Sequence, residues 1–246
     1  MDFFRDDPRI ADIINAGTIS LALFLPQYSD EPDGCLRTIG AGLVAEAILK
    51  KLASELGIEL EIIRQPTPHG AVEELNQGSF DVIILGFNEE RRAVIDFTPT
   101  VFRFDFAYMV PPGSNITASS QVDVQGVKIA VPVGHASWME LKKIIKRAEI
   151  LGGELPGESF AVFRSGDADV FALPREQLID FSDAYPGATI LDDGFGFNDV
   201  GFAVAKGREA LRGFLGEFVE QLRREGFVQE ILDKGGLSAR GFTVSE

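Results

Sequence analysis

Arg91 and Arg92 follow an apolar run that ends in Gly86 and Phe87. Residues 82–85 are all aliphatic and predict a buried strand, and Gly86 predicts the turn that ends it. Proteins of the α/β class hold small ligands at the carboxyl ends of parallel strands, where such turns offer backbone N–H groups. A guanidinium at this place can bind a carboxylate through two parallel hydrogen bonds. We therefore predict that Arg91 binds an anionic group of a small ligand.

The alternative for Arg91 is a structural role. Three acidic residues lie close to it in the sequence: Glu89, Glu90 and Asp96. An ion pair with one of them on the surface would need no ligand. Arg92 is predicted to be a solvent-exposed neighbour.

Composition argues against several classes of partner and site. The 246 residues carry a formal net charge of -15, which argues against nucleic acid and anionic membranes because both require a basic surface. The single cysteine, Cys35, excludes an intrachain disulfide. Cys35, His69 and His135 are too far apart in sequence to suggest a zinc site, so we predict no metal and no cofactor. No apolar run reaches the roughly 18 residues that a membrane-spanning helix needs.

Strand and helix signals alternate along the chain. The first half predicts strands at 18–24, 58–63, 80–85 and 102–110, helices at 8–16, 41–56 and 70–76, and a loop at 26–40. The second half predicts strands at 127–132, 169–173, 188–191 and 200–205, and helices at 137–150, 159–165, 175–184, 208–225 and 227–234. Strands that alternate with helices predict mostly parallel sheets flanked by helices.

Two interruptions divide this pattern into two lobes. The Pro-Pro-Gly-Ser segment at 111–114 and the glycine-rich residues 194–201 are the candidate crossings between the lobes. Two crossings make the first lobe discontinuous. We predict lobe 1 at 1–109 and 203–246 and lobe 2 at 110–202, with hinge crossings near 108–112 and 199–203.

Six segments, in order along the chain, resemble the signatures of one protein family. They are a strand at 17–22, a helix ending in Leu-Gly at 42–57, a helix-to-strand step at 71–81, Asn-Glu-Glu-Arg at 88–91 with Asp-Phe-Thr-Pro-Thr at 96–100, a strand entry at 124–134, and Ser-Gly-Asp-Ala-Asp at 165–169. From about residue 16 to residue 236, the chain is similar to the family 3 extracellular solute-binding proteins of ABC transporters.

The resemblance implies a two-lobed type II periplasmic binding protein fold, in which each lobe is a mostly parallel sheet flanked by helices. It implies transport rather than catalysis, because in such proteins the two lobes close on a small solute and present it to an ABC transporter permease. A monomer that works in the periplasm or outside the cell is the corresponding expectation. The first residues lack a basic segment followed by an apolar one, so the signal peptide is expected to be absent from this chain.

The resemblance also indicates ligand-binding residues. Arg91 matches the arginine that pairs with the ligand carboxylate in amino-acid binders of the family, and Gly86 and Phe87 precede it. Tyr28 stands where an aromatic lid over the ligand is common, although it could equally anchor its loop. The candidates in lobe 2 are Gly134, His135, Ala136, Pro174, Asn198 and Asp199. For His135 a helix cap, and for Asn198 and Asp199 a hinge contact, are the alternatives to ligand binding.

Three departures from the family pattern concern the ligand. Amino-acid binders place an aspartate that holds the α-ammonium where this chain has Pro174. They often carry hydroxyl side chains before the arginine, where this chain has Ile-Leu-Gly-Phe at 84–87. The threonine that often follows the second-lobe glycine is His135 or Ala136. We therefore expect an organic acid or amino-acid-like carboxylate with an apolar or aromatic body, rather than an ordinary α-amino acid.

Two other functions share this fold. A dehydratase of cyclic carboxylates would use Arg91 as the carboxylate anchor and His135 or an acidic residue for proton transfer. A sensor domain of a receptor would bind a ligand without delivering it to a permease. The sequence shows no clear proton-transfer pair, helix-turn-helix motif or membrane segment to favour either.

Overall fold

Strands flanked by helices make up both halves of the computed structural model, which describes residues 6–244. The chain divides into two units. Unit 1 comprises the described residues up to Arg103, then Asp199–Ser238 and the described residues from Thr243 onward. Unit 2 comprises Phe104–Asn198 and the short segment Ala239–Phe242. None of the helices in the described residues is long and apolar enough to cross a membrane.

The elements alternate along the chain much as the sequence predicts. The first part contains a 3-10 turn at Pro8–Ile10, α1 (Ala11–Ala16), β1 (Thr18–Phe24), β2 (Tyr28–Asp30), β3 (Leu36–Thr38), α2 (Ala41–Leu56), β4 (Glu59–Gln65), α3 (Pro68–Gln77), β5 (Val82–Gly86), α4 (Glu89–Val94), β6 (Ile95–Phe97) and β7 (Phe102–Val110). The second part contains a 3-10 turn at Ser119–Gln121, β8 (Lys128–Pro132), α5 (Ala136–Ile144), β9 (Glu149–Gly153), α6 (Pro156–Arg164), β10 (Val170–Pro174), α7 (Arg175–Ser182), β11 (Thr189–Ile190) and β12 (Gly196–Ala205). The chain then forms α8 (Glu209–Arg224), α9 (Phe227–Lys234), a 3-10 turn at Ser238–Arg240 and β13 (Phe242–Thr243).

The sheet of unit 1 places three strand ends along one edge. β1 lies between β4 and β5 and is parallel to both, so the carboxyl ends of these three strands meet at the same edge. β12 pairs antiparallel with β5, with Val200 opposite Gly86. The residues that end these strands, Phe24, Gln65 and Gly86, define this edge. The segment that contains Arg91 follows the end of β5 there.

Burial explains why this sheet forms. Residues 82–85 of β5 are all buried, which accounts for a run with no polar residue. On one face of the sheet, α2 buries a stripe of apolar side chains at helical spacing, formed by Val44, Ile48, Leu52 and Leu56. Gly57 ends this helix with a left-handed φ of 67°, a conformation that favours glycine.

The amino end of β5 is held by a network of charged and polar groups. Asp81 Oδ2 accepts hydrogen bonds from the backbone N–H of Ser20 at 2.9 Å and from its hydroxyl at 2.7 Å. Asp81 Oδ1 accepts a hydrogen bond from Arg208 Nη1 at 2.7 Å. The guanidinium of Arg208 also binds Asp12. This network ties β1, β5 and the residue before α8 together.

Unit 2 has a sheet of the same kind, with aromatic rings in its core. β8 lies between β9 and β10 and is parallel to both, while β10 pairs antiparallel with β7. On one face, α6 and α7 pack aromatic rings against β10; Phe160 and Phe171 have ring centroids 5.6 Å apart, and Phe171 and Phe181 5.3 Å apart. Such ring contacts bury large apolar surfaces and stabilise the core of this unit.

The helix predicted at 137–150 is wrong beyond Ile144. Asp123 Oδ1 accepts hydrogen bonds from the backbone N–H groups of residues 146, 147 and 148, at 3.0, 2.6 and 3.0 Å. It thereby binds N–H groups that a continued helix would donate to its own carbonyls. The chain turns and forms β9 at Glu149–Gly153, a strand that the sequence did not predict.

Other differences from the predicted elements are local. The loop predicted at 26–40 contains the hairpin of β2 and β3, α4 forms between β5 and β6, and β12 begins four residues before the predicted strand.

The structure divides the units within β7, between Arg103 and Phe104, and within β12, between Asn198 and Asp199, whereas the predicted crossings lie near 108–112 and 199–203. Both strands continue through the division. The predicted crossing near 199–203 is adjacent to the division in β12, whereas the one near 108–112 lies at the carboxyl end of β7. The predicted lobe ends at 1–5 and 245–246 lie outside the described residues.

Candidate ligand-binding residues

Arg91 lies in the first turn of α4, directly after the carboxyl end of β5. The helix begins there because Asn88 caps it: Asn88 Oδ1 accepts the backbone N–H of Arg91 at 2.7 Å. The side chain of Arg91 folds back towards the strand, and its Nη1 donates to the backbone carbonyl of Gly86 at 2.8 Å. The guanidinium is thus fixed at the end of the central strand β5.

No carboxylate among the described residues forms an ion pair with Arg91, although its side chain is half-buried. Burial lowers the pKa of this guanidinium, and the charge of Glu90 opposes that shift in part. An arginine nevertheless remains charged in a protein, and only one of its five N–H groups is used by Gly86. The other nitrogens are not cut off from solvent. The group is therefore a cation with its donors available to an anion.

Phe87 packs against unit 1. Its ring meets Phe97 edge-on, with centroids 4.6 Å apart, and the guanidinium of Arg92 lies 4.5 Å from its centroid. A Cβ at Gly201 would come within 2.7 Å of the ring, so that position must be glycine for Phe87 to lie there. Arg92 is exposed, as predicted from the sequence.

Asp199 lies beside this turn but already has a cationic partner. Its backbone carbonyl accepts the N–H of Phe87 at 2.9 Å. Its carboxylate pairs with Arg103, whose Nη2 is 3.0 Å from Asp199 Oδ1. The contacts therefore bring Gly86, Phe87, Arg91 and Asp199 together in unit 1.

The turn after β1 is anchored to the same edge of the sheet. Tyr28 is buried, and its hydroxyl donates to the carbonyl of Gln65 at 3.4 Å, which corresponds to the loop-anchor alternative for this residue. The buried amide of Gln27 donates to the carbonyl of Ile84 at 2.7 Å. Sequence reasoning missed both Gln27 and Asn88. The preference of asparagine for helix caps was the signal that could have revealed Asn88.

Gly134, His135 and Ala136 form the turn into α5 in unit 2. His135 is the residue before the helix, and its Nδ1 accepts the backbone N–H of Ser137 at 3.4 Å and lies 2.8 Å from the Ser137 hydroxyl. Burial lowers the pKa of His135 to about 4, so the ring is neutral at pH 7. Because Nδ1 accepts, we assign the proton to Nε2, which can donate to another group.

Pro174 ends β10, which pairs parallel with β8, so it lies at the same sheet edge as the turn that holds His135. No described side-chain contact joins Pro174 or Asn198 to His135. Pro174 is buried. Arg175 follows it and donates from Nη2 to the carbonyl of Asp192 at 2.9 Å. Burial raises the pKa of the neighbouring carboxyl of Glu176, partly offset by Arg240. Asn198 is half-buried on β12. Among the described residues, no group of three or more His, Cys, Asp or Glu side chains could hold a metal ion.

The sequence profile of a known family matches most of the chain. The profile of the bacterial extracellular solute-binding proteins, family 3, matches residues 39–236. The chain belongs to this family. Proteins of this family bind small-molecule solutes and work with ABC transporters.

Curated relatives of this family 3 protein are named as binding proteins, not as enzymes. The glutamine-binding protein GlnH of a Bacillus subtilis ABC transporter is 25% identical over 191 residues, which cover 76% of this chain and 70% of that protein. The L-cystine-binding protein TcyJ of Escherichia coli is 22% identical over 239 residues, which cover 94% and 87% of the two chains.

Solved structures show the same fold. A binding component of an ABC transporter from Wolinella succinogenes, in complex with lysine, aligns with a TM-score of 0.69 at 18% identity and covers 89% of this chain and 95% of its own. An ancestral amino-acid-binding protein described as a precursor of cyclohexadienyl dehydratase aligns with a TM-score of 0.66 at 22% identity and covers 91% and 96%. The type II periplasmic binding protein fold predicted from the sequence is confirmed.

Proposed function

We propose that this family 3 protein captures a carboxylate-bearing solute for an ABC importer, and that Arg91 binds the carboxylate. The observation that carries the proposal is the state of Arg91: a half-buried guanidinium at the carboxyl edge of a parallel sheet, hydrogen-bonded to Gly86 and paired with no described carboxylate. Removing a charge from water without a partner is costly. A ligand carboxylate that docks against the remaining donors offsets that cost.

His135 is proposed as a second ligand-binding residue. Its Nδ1 is engaged by Ser137, so its Nε2–H is the group left to donate. A neutral ring supplies a hydrogen bond without adding charge, and it does so across the physiological pH range. The protein is proposed to work in the periplasm or outside the cell as a monomer and to deliver its solute to the permease of its transporter.

Calorimetry on two neighbouring arginines tests the proposal. The solute is first identified by native mass spectrometry of protein purified without added ligand. Arg91→Ala is then expected to weaken its binding by about 2–5 kcal/mol, the usual loss when one partner of a desolvated charge pair is removed. Arg92→Ala is the matched control and should change binding by less than about 0.5 kcal/mol, because its exposed charge is screened by water. Equal effects of the two substitutions would disprove the role of Arg91.

A further inference from the structure

The carboxylates near Arg91 in unit 1 are either neutralised or exposed. Asp199, which contacts Phe87 through its backbone, is paired with Arg103 at 3.0 Å. Asp96, just after α4, is paired with Lys206 at 2.6 Å. Glu89 and Glu90 are exposed in the first turn of α4, where water screens their charges. Arg91 is thus a half-buried cation without an ion-pair partner, and among the described residues near it no half-buried carboxylate lacks a partner.

We infer that the solute is an organic acid whose carboxylate carries no adjacent ammonium group, in contrast to the glutamine and cystine named for the relatives. The inference rests on the proposed function, because it assumes that Arg91 binds the carboxylate. The α-ammonium of an amino acid is one carbon away from its carboxylate. It would therefore enter the same half-buried surroundings, close to a guanidinium and without a free carboxylate to neutralise it.

The candidate residues of unit 2 favour an apolar body for this acid. None of Gly134, His135, Ala136, Pro174 and Asn198 is acidic. Apolar side chains that are exposed to solvent lie next to them in the chain: Val133, Met139 and Phe197. Met139 is on the first turn of α5, where its N–H donates to the carbonyl of His135 at 3.0 Å. Exposed apolar side chains are typical of surfaces that bind a partly apolar ligand.

Matched pairs of ligands test the inference, because the two members of each pair differ only in the α-ammonium. The pairs are 3-phenylpropanoate with phenylalanine, 4-methylpentanoate with leucine, and 4-carbamoylbutanoate with glutamine. Each is titrated calorimetrically into protein freed of retained solute, and the retained solute is itself identified by native mass spectrometry. In the pair that binds best, the acid without the ammonium should bind on the order of a hundredfold tighter than the amino acid, the effect expected of a poorly solvated, unpaired charge.

The outcomes separate the inference from the proposed function. An amino acid that binds as tightly as its deaminated partner, or an α-amino acid found as the retained solute, overturns the inference. If Arg91→Ala still weakens binding of that amino acid, the proposed function stands. If Arg91→Ala changes the binding of no retained or added carboxylate, or if no carboxylate binds at all, the proposed function fails and the inference fails with it.

Discussion

Strand β5 has an arginine at each end, and the two arginines differ in how fully they are bound. At the amino end, Arg208 binds Asp81 at 2.7 Å and also Asp12, and Asp81 in turn accepts both donors of Ser20. At the carboxyl end, Arg91 has one bond, to the carbonyl of Gly86 at 2.8 Å. Both arginines are half-buried.

The number of ion-pair partners distinguishes the two ends of the strand. A charge network that is satisfied within the chain stabilises the fold and has little left to offer a ligand. A half-buried cation with a single neutral acceptor contributes little to the fold and is suited to an external anion. The comparison therefore indicates a structural role for the amino end of β5 and supports the proposed binding role of its carboxyl end.

Removing the carboxylate of the amino-end network should have the largest effect on stability. Asp81→Asn removes the negative charge that pairs with Arg208 and replaces one carboxylate oxygen of the network by an amide NH₂ group. The substitution should lower the free energy of unfolding by about 2–3 kcal/mol. Urea denaturation measures the change in unfolding free energy. Lys50→Gln is the control: its ion pair with Glu46 is largely exposed at the lysine, so the substitution should cost less than about 1 kcal/mol. Solute affinity should not change; a large loss of affinity would contradict the assignment of this end to stability.

His135 provides a pH-dependent test in unit 2. Burial lowers its pKa to about 4 in the folded state, below the ordinary value of about 6.5 in the unfolded chain. The unfolded state therefore takes up the proton first as pH falls, so the stabilising contribution is present above about pH 6.5 and is lost between pH 6.5 and pH 4.

The variant His135→Asn can still cap α5 but does not titrate. Between pH 7 and pH 4.5, wild-type protein should lose about 2 kcal/mol more stability than this variant. Denaturation curves at both pH values measure this difference. The titration of carboxylates lowers the stability of both proteins equally, so the difference between them reports His135. Identical losses in the two proteins would show that His135 is not held neutral by burial.

Asn88 gives the smallest of the expected effects and sharpens the comparison at the recognition end. Asn88→Ala removes the cap on the N–H of Arg91 and should cost about 1 kcal/mol of stability. Solute affinity should fall at the same time, because the turn that positions the guanidinium loosens. Asn88→Ser keeps a capping side chain without adding charge and should retain both properties. A variant that loses its cap but keeps full affinity would show that α4 does not position Arg91.

The parts of the fold predicted most closely from the sequence are those set by local signals. The bounds of α2 and β1 agree with the prediction, because they depend on residues close in sequence. The apolar residues of α2 recur at helical spacing, Gly57 ends that helix, and Gly17 ends the helix before β1. The end of α5 could not be predicted in this way. The N–H groups that follow it are bound by Asp123, more than 20 residues earlier in the chain, and no periodicity reveals such a contact.

The same limit applies to the candidate site. The sequence predicted Arg91 as a candidate ligand-binding residue, with an ion pair to Glu89, Glu90 or Asp96 as the alternative. The structure pairs Asp96 with Lys206, which is 110 residues away, and leaves both glutamates exposed. Whether a charged residue has an ion-pair partner depends on such distant residues, so the lack of a described partner for Arg91 became visible only in three dimensions.

The most direct test compares Arg91→Ala with Arg208→Ala in both solute affinity and unfolding free energy. Arg91→Ala should lose about 2–5 kcal/mol of binding and keep its stability within about 0.5 kcal/mol. Arg208→Ala should bind solute normally and lose about 2–3 kcal/mol of stability, because Asp81 is left without its cation. If instead Arg91→Ala unfolds as readily as Arg208→Ala, or binds solute as well as the wild type, the assignment of the two ends of β5 is wrong.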